Sequence, residues 1–207
     1  MGKQMLAAAV MGVLILPRLG VAATKPPPLA DKKILMVIAP GDFRDEELAA
    51  PRRIMENAGA AVTLASTTRE EVRGMLGMKV KPDKLLKEVR AADFDGLVFV
   101  GGVGAQALFE DPDAHRLARE GVEKHKIVSA ICIAPCILAR AGVLRDRPAT
   151  VWPGKEFVRI LEQNGAHVRR ESVVEDGRLI TANGPEVAQE FGETLVKALA
   201  AASAAEK

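Results

Sequence analysis

From residue 33 onward, short apolar runs alternate with longer stretches in which apolar residues recur every three or four positions. The runs KILMVIAP (33–40), AVTLAST (61–67), FDGLVFVGG (94–102) and IVSAIC (127–132) carry little polar alternation, which predicts strands buried on both faces. Between them, DEELAAPRRIMENAGA places Leu48, Ile54 and Met55 at helical spacing and closes on Gly59. DPDAHRLAREGVEKHK reads as an amphipathic helix with Pro112 near its start, and IAPCILARAG as a helix closed by Gly142. The charged stretch 68–90 predicts a hairpin-like excursion around GMLGMKVKPD and then a short helix. Later come a strand around ATVW (149–152), the helix GKEFVRILEQNG, a hairpin turning at Asp176-Gly177, and a final helix opened by Pro185.

Strand and helix in alternation mean an α/β fold: a doubly wound, mostly parallel sheet with helices on both faces, over residues 33–200, with 201–207 as a tail. Ligands of such sheets sit at the carboxyl ends of the strands. Three segments lie there: APGDFRDEEL, GGVGAQ and CIAPC.

Composition narrows the function. A net charge of +2, one Trp, six Phe and no Tyr leave neither an electrostatic footprint nor a stacking platform, so no nucleic-acid partner is expected. The first 23 residues differ from the rest: Lys3, the apolar run MLAAAVMGVLIL and the small-residue site Val21-Ala22-Ala23 read as a signal peptide. As a helix that run spans only about 18 Å against a hydrocarbon core of roughly 30 Å, so no stable membrane span is expected after its removal. The mature chain is expected to start near Thr24, exported to the periplasm or secreted, with residues 24–32 as a stiff, extended leader.

The chemistry gathers around SAICIAPC. A strand that ends on Cys132 and turns at once into a helix sets that side chain at the bend, the logic of a nucleophile elbow. Partial positive charge at the helix start favours a thiolate, and Pro135 suits a first turn. A buried, inert cysteine explains the same residues equally well. GGVGAQ, with Gly101 and Gly102, offers backbone N–H groups to a ligand but lacks the full phosphate-binding pattern; neither a cofactor nor a metal is expected. Cys132 and Cys136 are four apart, a poor geometry for bridging in a helix, so two free thiols are expected.

Taken together, FRDEELAAP, GGVGAQ, AICIAP, TVWP and LITANGP resemble the ThiJ/PfpI superfamily over nearly all of residues 32–200. The resemblance implies a flavodoxin-like fold, similar to that of class I glutamine amidotransferases, usually as a homodimer. It places the reactive cysteine on Cys132 and its acidic partner on Glu47, four residues before Pro51. It sets oxyanion-type donors on the backbone N–H groups of Gly102 and Ile133. A protonated Glu47 beside a thiolate predicts a raised carboxyl pKa and a depressed thiol pKa.

The chain departs from the family in places that bear on function. Ile133 stands where peptidase-like members carry His, and Trp152 where redox-sensor-like members often do. His115, His125 and His167 read as surface residues, so peptidase chemistry is disfavoured. Amidotransferase chemistry is disfavoured too, since no His-x-Glu occurs near the C-terminus. Gly101, Trp152 and Cys136 are expected at the pocket; Trp152 either walls it or fills the core, and Cys136 is either a core residue or a resolving thiol. The resemblance then implies glyoxalase- or deglycase-like action on small reactive carbonyls through a hemithioacetal at Cys132. The alternatives are a redox sensor or chaperone of the cell envelope, and an inert site.

Overall fold

The computed structural model describes residues 27–205. Four buried runs form the centre of the sheet. They are β1 (Lys33–Val37), β2 (Ala61–Ser66), then, past two minor strands β3 (Val72–Arg73) and β4 (Lys79–Val80) and the edge strand β5 (Lys84–Leu85), β6 (Gly96–Phe99) and β7 (Ile127–Ile131). β8 (Pro148–Ala149) and β9 (His167–Val168) make a separate parallel pair, and β10 (Val173–Asp176) and β11 (Leu179–Ala182) the late hairpin. The seven-stranded sheet runs β10-β11-β7-β6-β1-β2-β5, parallel except for β10. The doubly wound architecture expected from the alternation is what the chain adopts.

The helices are α1 (Asp45–Asn57), α2 (Pro112–Glu123), α3 (Pro135–Arg140), α4 (Lys155–Gln163) and α5 (Ala188–Ala205). From β1 the chain moves outward to β2 and later returns on the other side to β6 and β7, so the winding reverses beside β1. Register carries Val37, Phe99 and Ala130 across the sheet in one row, which brings the loops after β1, β6 and β7 to a common edge. α1 and α5 cover one face in close contact. A Cβ on Gly192 of α5 would lie 2.8 Å from Ile54 Cδ1 and 3.0 Å from the Pro51 Cα of α1.

Three boundaries differ from expectation. Residues 27–32 are a turn rather than an extended leader. Leu29 is buried, its N–H donates to Ala58 O, and the bare Gly59 admits Pro27. α5 runs through 201–205, so helix replaces the start of the expected tail. The strand expected at 149–152 stops at Ala149, because the Thr150 N–H donates to Thr181 Oγ1 and the Trp152 N–H to Cys132 O instead of continuing a ladder. The excursion at 68–90 is the antiparallel β3–β4 hairpin, followed by β5 and a 3-10 turn, Leu86–Glu88. The expected signal peptide lies outside the described residues. Among the described residues, no helix is long and apolar enough to cross a membrane.

Candidate active site

Cys132 follows β7 directly with φ +64°, a left-handed conformation that costs a non-glycine residue about 1 kcal/mol or more. It is held there from both sides: its N–H donates to Ala182 O at 2.9 Å and its carbonyl accepts from the Trp152 N–H at 2.8 Å. The side chain, 8% exposed, forms part of the floor of a cavity of about 250 Å³. The walls come from Arg44, Met75, Gly102, Val103, Ile133, Trp152, Phe157 and the Pro185-Glu186 turn.

Glu47, in the first turn of α1, is fully buried against this floor. Gly101 separates it from the elbow: a Cβ there would lie 2.5 Å from Glu47 Oε2 and 2.6 Å from Cys132 Cβ. The loop of Gly101 and Gly102 packs against residues 41–44. The Arg44 N–H donates to Gly101 O at 3.0 Å and the Gly104 N–H to Asp42 O at 3.1 Å. Gly102 has φ +97°, and any side chain on it would strike Arg44 N at 2.3 Å.

Burial is the main electrostatic fact here. It raises the Glu47 carboxyl from its ordinary 4.5 to about 7. The Cys132 thiol, Arg44 and the Gly101 amide pull it back only in part. Neither carboxyl oxygen completes a hydrogen bond of regular geometry. Burial, and then the Glu47 charge, push the Cys132 thiol up to about 12, against the lowering effect of the Gly102 and Ile133 amides. The expected depression of the thiol is therefore not found. α3 is only six residues long, and its dipole does not outweigh desolvation. The buried pair gives up its first proton near neutral pH and keeps the second far into alkali.

Residues 32–198 match the DJ-1/PfpI family. The chain belongs to the DJ-1/PfpI family. It is 42% identical over 172 residues to an uncharacterized protein of Methanocaldococcus jannaschii, covering 83% of this chain and 84% of that one. A glutathione-independent glyoxalase of Caenorhabditis elegans is 28% identical over 170 residues, covering 82% of this chain and 90% of the relative. Among solved structures, a ThiJ/PfpI domain protein from Brachyspira murdochii superposes with a TM-score of 0.78 at 34% identity. That match covers 81% of this chain and 95% of the other. Drosophila melanogaster DJ-1beta superposes with a TM-score of 0.74 at 33% identity, over 82% and 90% of the two chains.

Within this DJ-1/PfpI fold, Cys132, Glu47, Gly102 and Ile133 converge on one point, and Trp152 walls the cavity beside Gly184. Two residues expected to line the pocket do not. Gly101 lies behind the carboxylate, not in the lining. Cys136 is fully buried on the α4 side of α3, where its thiol donates to Phe157 O at 3.8 Å. Burial pushes that thiol, too, up to about 12. Both cysteines are free. None of the three histidines lines the cavity: His125 and His167 are exposed, and the half-buried ring of His115 bonds Phe109 O at 2.8 Å.

Sequence reasoning did not find Arg44, Asp45, Met75, Phe157 or Glu186. Asp45 lies in the APGDFRDEEL segment, where it is one of several acids with nothing in the sequence to single it out. In the fold it clamps the β3–β4 hairpin, accepting from the N–H groups of Leu76 at 2.9 Å and Met78 at 2.7 Å.

Proposed function

We propose that this protein is a cysteine-dependent enzyme that converts small 2-oxoaldehydes to 2-hydroxy acids. One observation carries the reading: a buried carboxyl and an elbow thiol face each other at the floor of a solvent-reaching cavity, with two backbone amides beside the sulfur. The ionised Glu47 takes the thiol proton as sulfur bonds to the aldehyde carbon, and the carbonyl electrons move to oxygen, held by the Gly102 and Ile133 N–H groups. Returning the proton to that oxygen completes a hemithioacetal. Glu47 then removes the proton on the former aldehyde carbon. That electron pair forms a carbon–carbon double bond as the ketone π pair moves to its own oxygen, which takes the proton and gives an enediol. Protonation at the adjacent carbon, with loss of the hydroxyl proton on the sulfur-bearing carbon as its C=O forms, leaves a thioester, which water cleaves to the 2-hydroxy acid and the free thiol. One carbon is oxidised as its neighbour is reduced, so no cofactor takes part.

The C. elegans relative, named a glutathione-independent glyoxalase, supports this reading. The redox-sensor or chaperone alternative rests on the same sulfur, and addition of oxygen at Cys132 under peroxide without methylglyoxal turnover would favour it. We propose further that the protein works outside the cytoplasm as a homodimer. The signal-like order of residues 1–23 and the family resemblance support this, and N-terminal sequencing and light scattering test it. The test of the chemistry is methylglyoxal turnover in wild type and Cys132→Ser. Activity falling to background in the variant is expected, and equal rates would dismiss the proposal.

A further inference from the structure

The exposed large hydrophobic side chains among the described residues gather at one place. Met75 (39% exposed), Val103 (53%) and Trp152 (37%) line the mouth of the Cys132 cavity, and Leu76 (62%) adjoins Met75 on the hairpin tip. Phe157 continues the apolar wall inward. The charges nearby offer an anion no net attraction. The Arg44 guanidinium is ion-paired with Glu46 at 2.9 Å, while Glu186 stands at the rim and Glu47 at the floor. An apolar cavity of about 150 Å³ holds benzene, and this one is larger, so a two-carbon reacting end leaves much of it unfilled.

The wall that carries Met75 and Leu76 is tied to the catalytic helix. Asp45 uses both carboxylate oxygens on the Leu76 and Met78 N–H groups, and the Met75 N–H donates to Phe43 O at 2.9 Å. Gly74 permits the approach: a Cβ on it would lie 2.4 Å from Asp45 Oδ2. Asp45 sits two residues before Glu47, so one helical turn supplies the acid and anchors the wall.

We infer that the β3–β4 hairpin reads the non-reacting end of the substrate and selects an uncharged, apolar one. Aldehydes with an aromatic or branched apolar substituent are preferred over those with a methyl group or a carboxylate. Asp45 is the positioning residue of that wall. The inference rests on the proposal that the site binds aldehydes, and its test separates the two.

Cys132 alkylation is measured with iodoacetamide, N-phenyl-iodoacetamide and iodoacetate, each rate divided by that for a free small thiol. Turnover of phenylglyoxal and methylglyoxal is measured alongside, in wild type, Met75→Leu, Met75→Ser and Asp45→Asn. Wild type should favour the phenyl reagent about tenfold and disfavour iodoacetate, as expected for burying one apolar group. Met75→Ser and Asp45→Asn should cut that preference, read as the ratio of the phenyl to the iodoacetamide rate within each variant, to about twofold, and Met75→Leu should keep it. No phenyl preference in wild type, no change in Met75→Ser, or an equal slowing of all reagents in Asp45→Asn overturns the inference. If Asp45→Asn does not fold, the Met75 pair decides. A Leu76→Ser variant that halves the molar mass assigns the rim to a second copy of the chain and also overturns it. A phenyl preference without turnover of either aldehyde supports the apolar selectivity and removes the glyoxalase reading alone.

Discussion

Glu47 and Cys132 meet across a residue that has no side chain: one point beside Gly101 lies within 2.6 Å of both the Glu47 carboxylate and the Cys132 Cβ. Gly101→Ala therefore has to push the acid and the thiol apart. A loss of about 1–3 kcal/mol in urea unfolding is expected from overpacking, with Cys132 alkylation slowed at least tenfold. An alanine variant with unchanged rates would show that the carboxyl does not act on the sulfur.

Glu47 also sets a pH dependence. Its carboxyl holds its proton more tightly in the folded chain, at about 7 against 4.5. The contribution to stability is thus complete below pH 4.5 and is lost as pH rises through 7, by about 3 kcal/mol. Glu47→Gln carries no such titration, so its stability relative to wild type should improve over that window in urea melts at pH 4.5 and 7.5. A constant difference between the two proteins would refute this.

The same proton controls the chemistry. Ionised Glu47 is the base for the thiol, so Cys132 alkylation should climb with an apparent pKa near 7 and lose that limb in Glu47→Gln. A limb near 8.5, the ordinary thiol value, would mean an uncoupled cysteine.

The two cysteines should separate cleanly by labelling. Cys136 is sealed from solvent and outside the cavity, so the folded protein should take one maleimide by intact mass and the unfolded chain two. Cys136→Ala should cost about 1 kcal/mol in stability and leave turnover unchanged.

The seam between α1 and α5 leaves no room beside Gly192. Gly192→Ala drives a methyl against the Pro51 Cα, and a fall of about 1–3 kcal/mol in unfolding free energy is expected. Because α1 carries Glu47, turnover should fall with it.

The buried strands and the elbow were legible because both are local: apolar runs without alternation, and a cysteine where a strand meets a helix. The register of Glu47 against Pro51 was legible only through the family resemblance. The clamp of Asp45 on Leu76 and Met78 was not, since it joins residues 31 and 33 apart through backbone N–H groups that any sequence possesses. The direction of the Cys132 shift was missed for a related reason. A helix start is visible in the sequence, whereas the depth of burial and the brevity of α3 are products of packing.

The acid and the sulfur belong to segments 85 positions apart in the chain, brought together only by the assembled sheet. A newly made or unfolded polypeptide presents an ordinary thiol and an ordinary glutamate, with no pocket between them. The proposed conversion of an aldehyde therefore requires β1, β6 and β7 to stand side by side. The unfolded chain carries an ordinary thiol without a paired acid or a cavity, and competence depends on the sheet having assembled.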